Sequence, residues 1–310
     1  MMVLHFCVRQ AQGMTLLEFS RQLAATVEKA APAVVAVRTQ RMATASGILY
    51  RDGLVLTADH AIQGHEVQAV VLSDGSTQPA HVLGRDAGTD VAVLKLTNAI
   101  TAPALALNGG LAAGHLALAV GRNAGMGPQA AMGIVSLVGG AWRTMRGGSV
   151  DQLIRLDLAL HPAQSGGAVV DASGGLIGMA TRGLSRSGGL AIPVSTLNRV
   201  LDAVISRGRV VRGYLGVGLQ PVPLPAHLTK HLGREQQQGL IVVSVEPQSP
   251  AEHSGVLLGD VLTALNGEPI DDAAAVLVHL DADSPGRTLE WQVLRGGRVE
   301  MVSVKVGEKE

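Results

Sequence analysis

Three residues far apart in the chain have the types and settings that nucleophilic catalysis needs. Ser165 stands in His161-Pro162-Ala163-Gln164-Ser165-Gly166-Gly167-Ala168-Val169-Val170. Small neighbours there let another backbone approach the hydroxyl, and the glycines let the chain turn sharply. His60 closes Leu54-Val55-Leu56-Thr57-Ala58-Asp59-His60, just past an apolar run, and Asp90 opens another, Val91–Leu96. A serine hydroxyl attacks poorly until a base takes its proton, and an imidazole base needs a carboxylate to fix its tautomer and stabilise its charge. Each piece alone is ordinary in a chain with 39 Gly and ten His. The order His, Asp, Ser, with each residue beside a strand end, carries the argument.

The elements that must position these groups are short and β-rich. A helix comes first: Thr15-Leu16-Leu17-Glu18 reads as a capping box, Leu16, Phe19, Leu23 and Val27 follow at helical spacing, and Pro32 ends it. Strands are then expected at Val34–Val37, Gly47–Tyr50, Leu54–Thr57, Val67–Leu72, Ala80–Val82 and Val91–Leu96. A second set follows at Leu116–Val120, Gly133–Leu137, Leu153–Leu158, Ala168–Asp171, Leu176–Thr181 and Gly189–Ile192. Turn signals such as Arg51-Asp52-Gly53 and Ser73-Asp74-Gly75 separate them. Many short strands with glycine-rich turns predict a mainly β barrel or sandwich. A helix capped by Ser195 or Thr196 comes next, with Leu197, Val200, Leu201, Val204 and Ile205 as its apolar stripe, and Arg207-Gly208-Arg209 closes it.

Composition narrows the classes. The 310 residues suit two domains or one large one. Hydrophobic residues make up 47% and aromatics 2%, so the cores must be aliphatic. Lys+Arg and Asp+Glu are 25 each, which argues against nucleic acid or an anionic membrane surface as the main partner. The single Cys7 excludes an internal disulfide. No apolar run is long enough to span a bilayer, and Met1–Gly13 gives no clear signal peptide. The compartment stays unassigned, and the start could be Met1 or Met14. His60 and His65 do not have metal-protease spacing, so no metal site is expected, and Gly121–Gly127 lacks a phosphate-binding pattern. No cofactor is called for.

At this point the chain resembles the HtrA/Deg family of serine proteases. The matching segments are Ser46-Gly47-Ile48, Leu56–Ala61, Gly84-Arg85-Asp86 with Thr89–Lys95, Gly133-Ile134-Val135-Ser136, Ser165-Gly166-Gly167 and Leu190-Ala191-Ile192-Pro193. The resemblance implies a chymotrypsin-like double β-barrel protease domain followed by a PDZ domain of small α+β type. It divides the chain into an N-terminal segment with a helix (1–30), the protease domain (31–207) and the PDZ domain (208–306). Within it, His60 is the general base, Asp90 its orienter and Ser165 the nucleophile. The N–H groups of Ala163 and Ser165 would form the oxyanion hole. In such enzymes the residue six before the serine floors the S1 pocket, here Ala159, with Leu160 and Leu190 nearby. An uncharged floor implies cleavage after medium apolar residues. The Gly- and Ser-rich loop Arg182–Gly189 could gate the site.

One departure stands out. The family usually carries Gly-Asn-Ser where this chain has Ala163-Gln164-Ser165. Alanine resists backbone conformations that glycine reaches, so the N–H at 163 is expected to point the wrong way at rest.

The last third resembles a PDZ domain. Arg212-Gly213-Tyr214-Leu215-Gly216-Val217 matches its carboxylate-binding loop, with Tyr214, Leu215, Gly216 and Val217 as peptide contacts. The strand Gly239–Val245, a short helix opened by Ser249-Pro250-Ala251, a hairpin turn at Asn266-Gly267, a helix from Asp272 to Leu280 and a hairpin at Arg295-Gly296-Gly297 complete it. The mode is β-augmentation, with a peptide C-terminus held by backbone N–H groups. The family implies unfolded or damaged proteins as substrates, commonly a periplasmic or envelope location, and a homotrimer for which the sequence offers no interface. The alternative is a scaffold with a protease fold that no longer cleaves and binds peptides through its PDZ domain.

Overall fold

The computed structural model describes residues 14–40, 44–98, 100–103, 105–185, 188–211, 213–225, 232, 236–280 and 284–308. Cys7, Arg212 and the end of the polar tail lie outside them. The chain forms two compact units. One takes in residues up to Leu83, Asp90–Gly140 and Gln152–Leu197; the other takes in Gly84–Thr89, Ala141–Asp151 and Asn198–Glu310.

Helix α1 (Leu16–Ala30) starts as its capping box requires. The Thr15 side chain accepts from the Glu18 N–H, and the Glu18 side chain accepts from Thr15. Thr26 and Ala30 are its buried residues, whereas Leu16, expected on the apolar stripe, is exposed. Strands β1 (Val34–Thr39), β2 (Thr44–Arg51), β3 (Leu54–Ala58), β4 (Val67–Val71), β5 (Thr77–Asp86) and β6 (Val91–Leu96) close a barrel in the order β1-β2-β3-β6-β5-β4. Val35, Val37, Leu49, Val55, Ile62, Leu94 and Leu96 pack inside it. The turn at Gly53 (φ 69°) joins β2 to β3 where only glycine sits without strain. Helix α2 (Asp59–Ile62) follows β3 directly and carries His60.

The second barrel uses β7 (Leu116–Asn123), β8 (Gly127–Val138), β9 (Ile154–Asp157), β10 (Ala168–Asp171), β11 (Leu176–Thr181) and β12 (Gly189–Pro193), in the order β9-β12-β11-β10-β7-β8. Its core is aliphatic and small: Ala117, Ala119, Val135, Ile154, Leu156, Val169, Ile177, Ala180 and Ala191. Small side chains let opposite walls approach, which suits a chain with 2% aromatics. Helix α3 runs Val194–Arg207, so it starts ahead of Ser195 and Thr196, which lie in its first turn rather than capping it. Leu197, Val200, Leu201 and Val204 are buried, whereas Ile205 is exposed.

In the second unit, β13 (Gly213–Tyr214), β14 (Val217–Pro223), β15 (Gln238–Val245), helix α4 (Pro250–His253), β16 (Val261–Leu265), β17 (Glu268–Pro269), helix α5 (Ala273–Val278), β18 (Thr288–Arg295), β19 (Arg298–Lys305) and β20 (Gly307–Glu308) follow in order. The sheet runs β14-β15-β16-β18-β19, with β17 on β16 and β13 on β20. Trp291 is fully buried at its core among Leu215, Leu240, Leu262, Leu289 and Val304. Ser249 caps α4 and Asp272 caps α5, each accepting from a backbone N–H three residues on. Asn266 and Gly267 both have positive φ (49° and 83°), as a tight hairpin turn requires.

Candidate active site

One carboxylate holds His60 by both its ring and its backbone. Asp90 Oδ2 lies 2.8 Å from His60 Nδ1, and Asp90 Oδ1 accepts from the His60 backbone N–H at 2.8 Å. Backbone pairing reinforces this, because the Asp59 N–H donates to the Asp90 carbonyl at 3.1 Å. Asp90 is fully buried and holds φ 60°, a conformation that Asp tolerates better than most residues. That backbone turn delivers the carboxylate from the start of β6 to the end of β3, its neighbour in the barrel.

Thr181, at the end of β11, donates its hydroxyl to Asp90 Oδ2 and accepts the Gly183 N–H at 2.9 Å. A Cβ on Gly183 would stand 2.6 Å from His60 Nδ1 and 2.7 Å from Asp90 Oδ2, so a glycine is required there. The sequence reading places Thr181 at a strand end and Gly183 in the loop Arg182–Gly189, but gives neither this role. Their only local signal is a threonine ending a strand ahead of a glycine-rich loop.

Ser165 follows a 3-10 turn at Pro162–Gln164 and is 1% exposed. Its hydroxyl has no hydrogen-bond partner among the described residues. Its N–H donates to the Pro162 carbonyl at 3.1 Å. A trans peptide holds C=O and N–H on opposite sides, so the Ala163 N–H is directed away from that carbonyl's partner. Ser46 Oγ donates to the Ala163 carbonyl at 2.6 Å and accepts the Arg122 N–H at 2.9 Å. The Gln164 side chain is buried, accepts from the His161 N–H at 2.9 Å and donates to the Ala119 carbonyl at 3.3 Å. The loop is therefore held by its own side chains. Gly166 (φ 86°) has no room for a Cβ, which would meet the Ser46 carbonyl and Thr57 Oγ1.

A cavity of about 470 Å³ joins these groups; His60, Leu158, Leu160, Pro162, Ser165 and Gly189 are among its lining. Ala159, expected as the pocket floor, is exposed and is not among the cavity's lining, whereas its neighbours Leu158 and Leu160 are; all three lie past the end of β9. Leu190 is buried beyond the lining.

The second unit has a groove of about 340 Å³ that Tyr214, Leu215, Gly216 and Val217 line together with Ala273, Val276 and Leu277 of α5. Strand β14 is at the end of the sheet order, leaving an edge for another strand. Gly216 has φ 76°. The Tyr214 hydroxyl donates to Glu246. Among the described residues no group of His, Cys, Asp and Glu could hold a metal ion, and no helix is long and apolar enough to cross a membrane.

Comparison with known proteins matches a trypsin-like peptidase domain over residues 45–179 and a PDZ domain over residues 213–306. The chain is 34% identical over 278 residues to a probable periplasmic serine endoprotease DegP-like from Rhizobium meliloti, covering 87% of this chain and 54% of that one. It is 32% identical over 274 residues to the periplasmic serine endoprotease DegP of Salmonella typhimurium, covering 86% and 57%. It therefore spans a little over half the length of these curated relatives. Among solved structures, the HtrA-type protease AlgW with tripeptide is 32% identical, with a TM-score of 0.69 over 93% of this chain and 97% of that one.

Proposed function

The chain belongs to the HtrA family of serine proteases, and from that premise we propose that it is a serine endopeptidase acting on unfolded or damaged proteins. The observation that carries the reading is the His60–Asp90 pair at 2.8 Å, opening on the cavity that Ser165 shares. Asp90 occupies Nδ1, which leaves Nε2 to take the seryl proton. Ser165 Oγ then attacks the scissile carbonyl, and Asp90 stabilises the imidazolium. Protonated His60 returns the proton to the leaving amine. Water repeats the sequence in reverse and frees the acid. The N–H groups of Ala163 and Ser165 serve as the oxyanion hole once the Pro162–Ala163 peptide has turned over. Leu158, Leu160 and Gly189 offer an apolar recess for the residue cleaved after.

The protease domain is assigned to 31–207 and the PDZ domain to 208–306. Peptide C-termini would add as a strand to β14, with their carboxylate on the loop Tyr214-Leu215-Gly216-Val217. The names of the relatives support a periplasmic location. A homotrimer is the assembly that the family suggests.

A second reading, a protease-fold scaffold that binds without cleaving, draws on the Ser165 hydroxyl, unpartnered among the described residues, and its engaged N–H. Labelling by a serine-directed phosphonate, alongside casein digestion, decides between the two. Uptake and digestion by the natural chain, both lost in Ser165→Ala, support the peptidase. No uptake and no digestion leave the scaffold.

A further inference from the structure

Among the described residues, the cavity around Ser165 contains one charged group for which the proposed reaction has no use. Arg182 lines it and is the only guanidinium or carboxylate to do so among the described residues. It is exposed, and neither a hydrogen bond nor an ion pair holds its side chain among the described residues. A guanidinium keeps its charge at every working pH and presents a planar fork that fits a carboxylate. Among the described residues, an arginine without a partner at a cavity that His60, Ser165 and Ser185 also line is a recognition element awaiting an acid.

Its neighbours fix where that acid must be. Thr181 is buried with its hydroxyl on Asp90, and Gly183 abuts the Nδ1 edge of His60. The Gly183 N–H, bonded to Thr181 Oγ1, closes the backbone around residue 182. Thr181 ends its strand buried, and the next residue, Arg182, is exposed and lines the cavity. Gly188 and Gly189 wall the recess with Leu158 and Leu160. A polypeptide with its cleaved-after side chain in that recess would pass residue 182 on its acyl side.

We propose that Arg182 determines specificity by selecting an acidic side chain one or two residues before the residue cleaved after. The inference rests on the peptidase reading above and adds a charge requirement to it. An exposed, charge-assisted pair of this kind is expected to give a preference of about two- to fivefold in kcat/KM. It should weaken as salt rises, because screening shortens from about 10 Å at 0.1 M to about 3 Å at 1 M.

The test uses the full chain and quenched peptides that differ only in carrying Glu, Gln or Lys at those two positions. For the natural chain the order Glu, Gln, Lys is expected, with the Glu-to-Gln ratio falling in high salt. Arg182→Ala should bring that ratio to about one, and Arg182→Glu should put Lys first; the ratio reads specificity whatever the basal rate. A phosphonate-reactive chain that shows no Glu preference, or one that keeps it in Arg182→Ala, overturns the inference alone. A chain that cleaves no peptide and takes no phosphonate at Ser165 overturns the peptidase reading, and the inference with it.

Discussion

The N–H of Ser165 donates to the carbonyl of Pro162 across 3.1 Å, closing a 3-10 turn over Pro162–Gln164. A donor spent inside the loop cannot meet the oxygen of a substrate, and the planar peptide that points this carbonyl at Ser165 turns the Ala163 N–H the other way. Ser46 and Gln164 brace the same loop from both ends. The resting loop therefore favours the turn over the hole.

Ala163→Gly should raise peptide cleavage. Turning the 162–163 peptide over changes φ at residue 163, and positive φ costs an L-residue about 1–2 kcal/mol that glycine is spared. That corresponds to a gain of about tenfold in kcat with KM little changed. Steady-state rates equal to those of the natural chain would place the barrier elsewhere than at residue 163.

Gly183→Ala should abolish most activity without unfolding the barrel. The new Cβ would sit 2.6 Å from His60 Nδ1 and 2.7 Å from Asp90 Oδ2, too close for either to stay. A displacement of about 1 Å at a reacting group costs roughly 100-fold. Cleavage kinetics beside thermal unfolding check this; full activity in a stably folded variant contradicts it.

Much of this arrangement could be read from the sequence, and the exceptions have a common cause. Strands β6, β10 and β11 run as expected, Val91–Leu96, Ala168–Asp171 and Leu176–Thr181, because each is an apolar run closed by turn residues at both ends. The capping box at Thr15 was legible for the same reason: it is local. Helix α3 begins at Val194 because β12 ends at Pro193 and no free turn is left for Ser195 or Thr196 to cap. Thr181 reaches Asp90 across 91 residues of sequence, and no local pattern announces such a bond. The choice between Ala159 and its neighbours as cavity lining depends on the path of the irregular backbone past β9, which a run of Leu, Ala and Leu does not reveal.

Arg122→Met should destabilise the first unit. The buried guanidinium donates to the carbonyls of Val34 at 2.6 Å and Ala31 at 3.0 Å, tying β7 to the entry of β1. Burial lowers the pKa of Arg122 from its ordinary value, yet arginine remains charged. Methionine fills similar space but removes the Arg122 donors, leaving the Ala31 carbonyl only the Val34 N–H, at about 2–3 kcal/mol. A fall in Tm of roughly 4–10 °C is expected for a unit of this size. An unchanged melting transition would mean that water replaces both donors without cost.

Tyr214 provides a pH signature in the second unit. Its hydroxyl donates to the Glu246 carboxylate; that bond first, then burial and the negative charge, hold the phenol above its ordinary value. A group whose pKa is raised on folding contributes stability that is fully present below its unfolded value, about 10, and lost as pH climbs through the raised one. The chain has two tyrosines, Tyr50 and Tyr214, so ultraviolet titration of the phenolates can separate them. In the natural chain Tyr214 should titrate late, and the second unit should lose stability as it ionises. Glu246→Gln removes the charge and should move that midpoint down towards 10, while the Tyr214→Phe chain should retain only the Tyr50 transition. Superimposable titrations of the natural and Glu246→Gln chains would show that the Tyr214–Glu246 bond does not persist in solution.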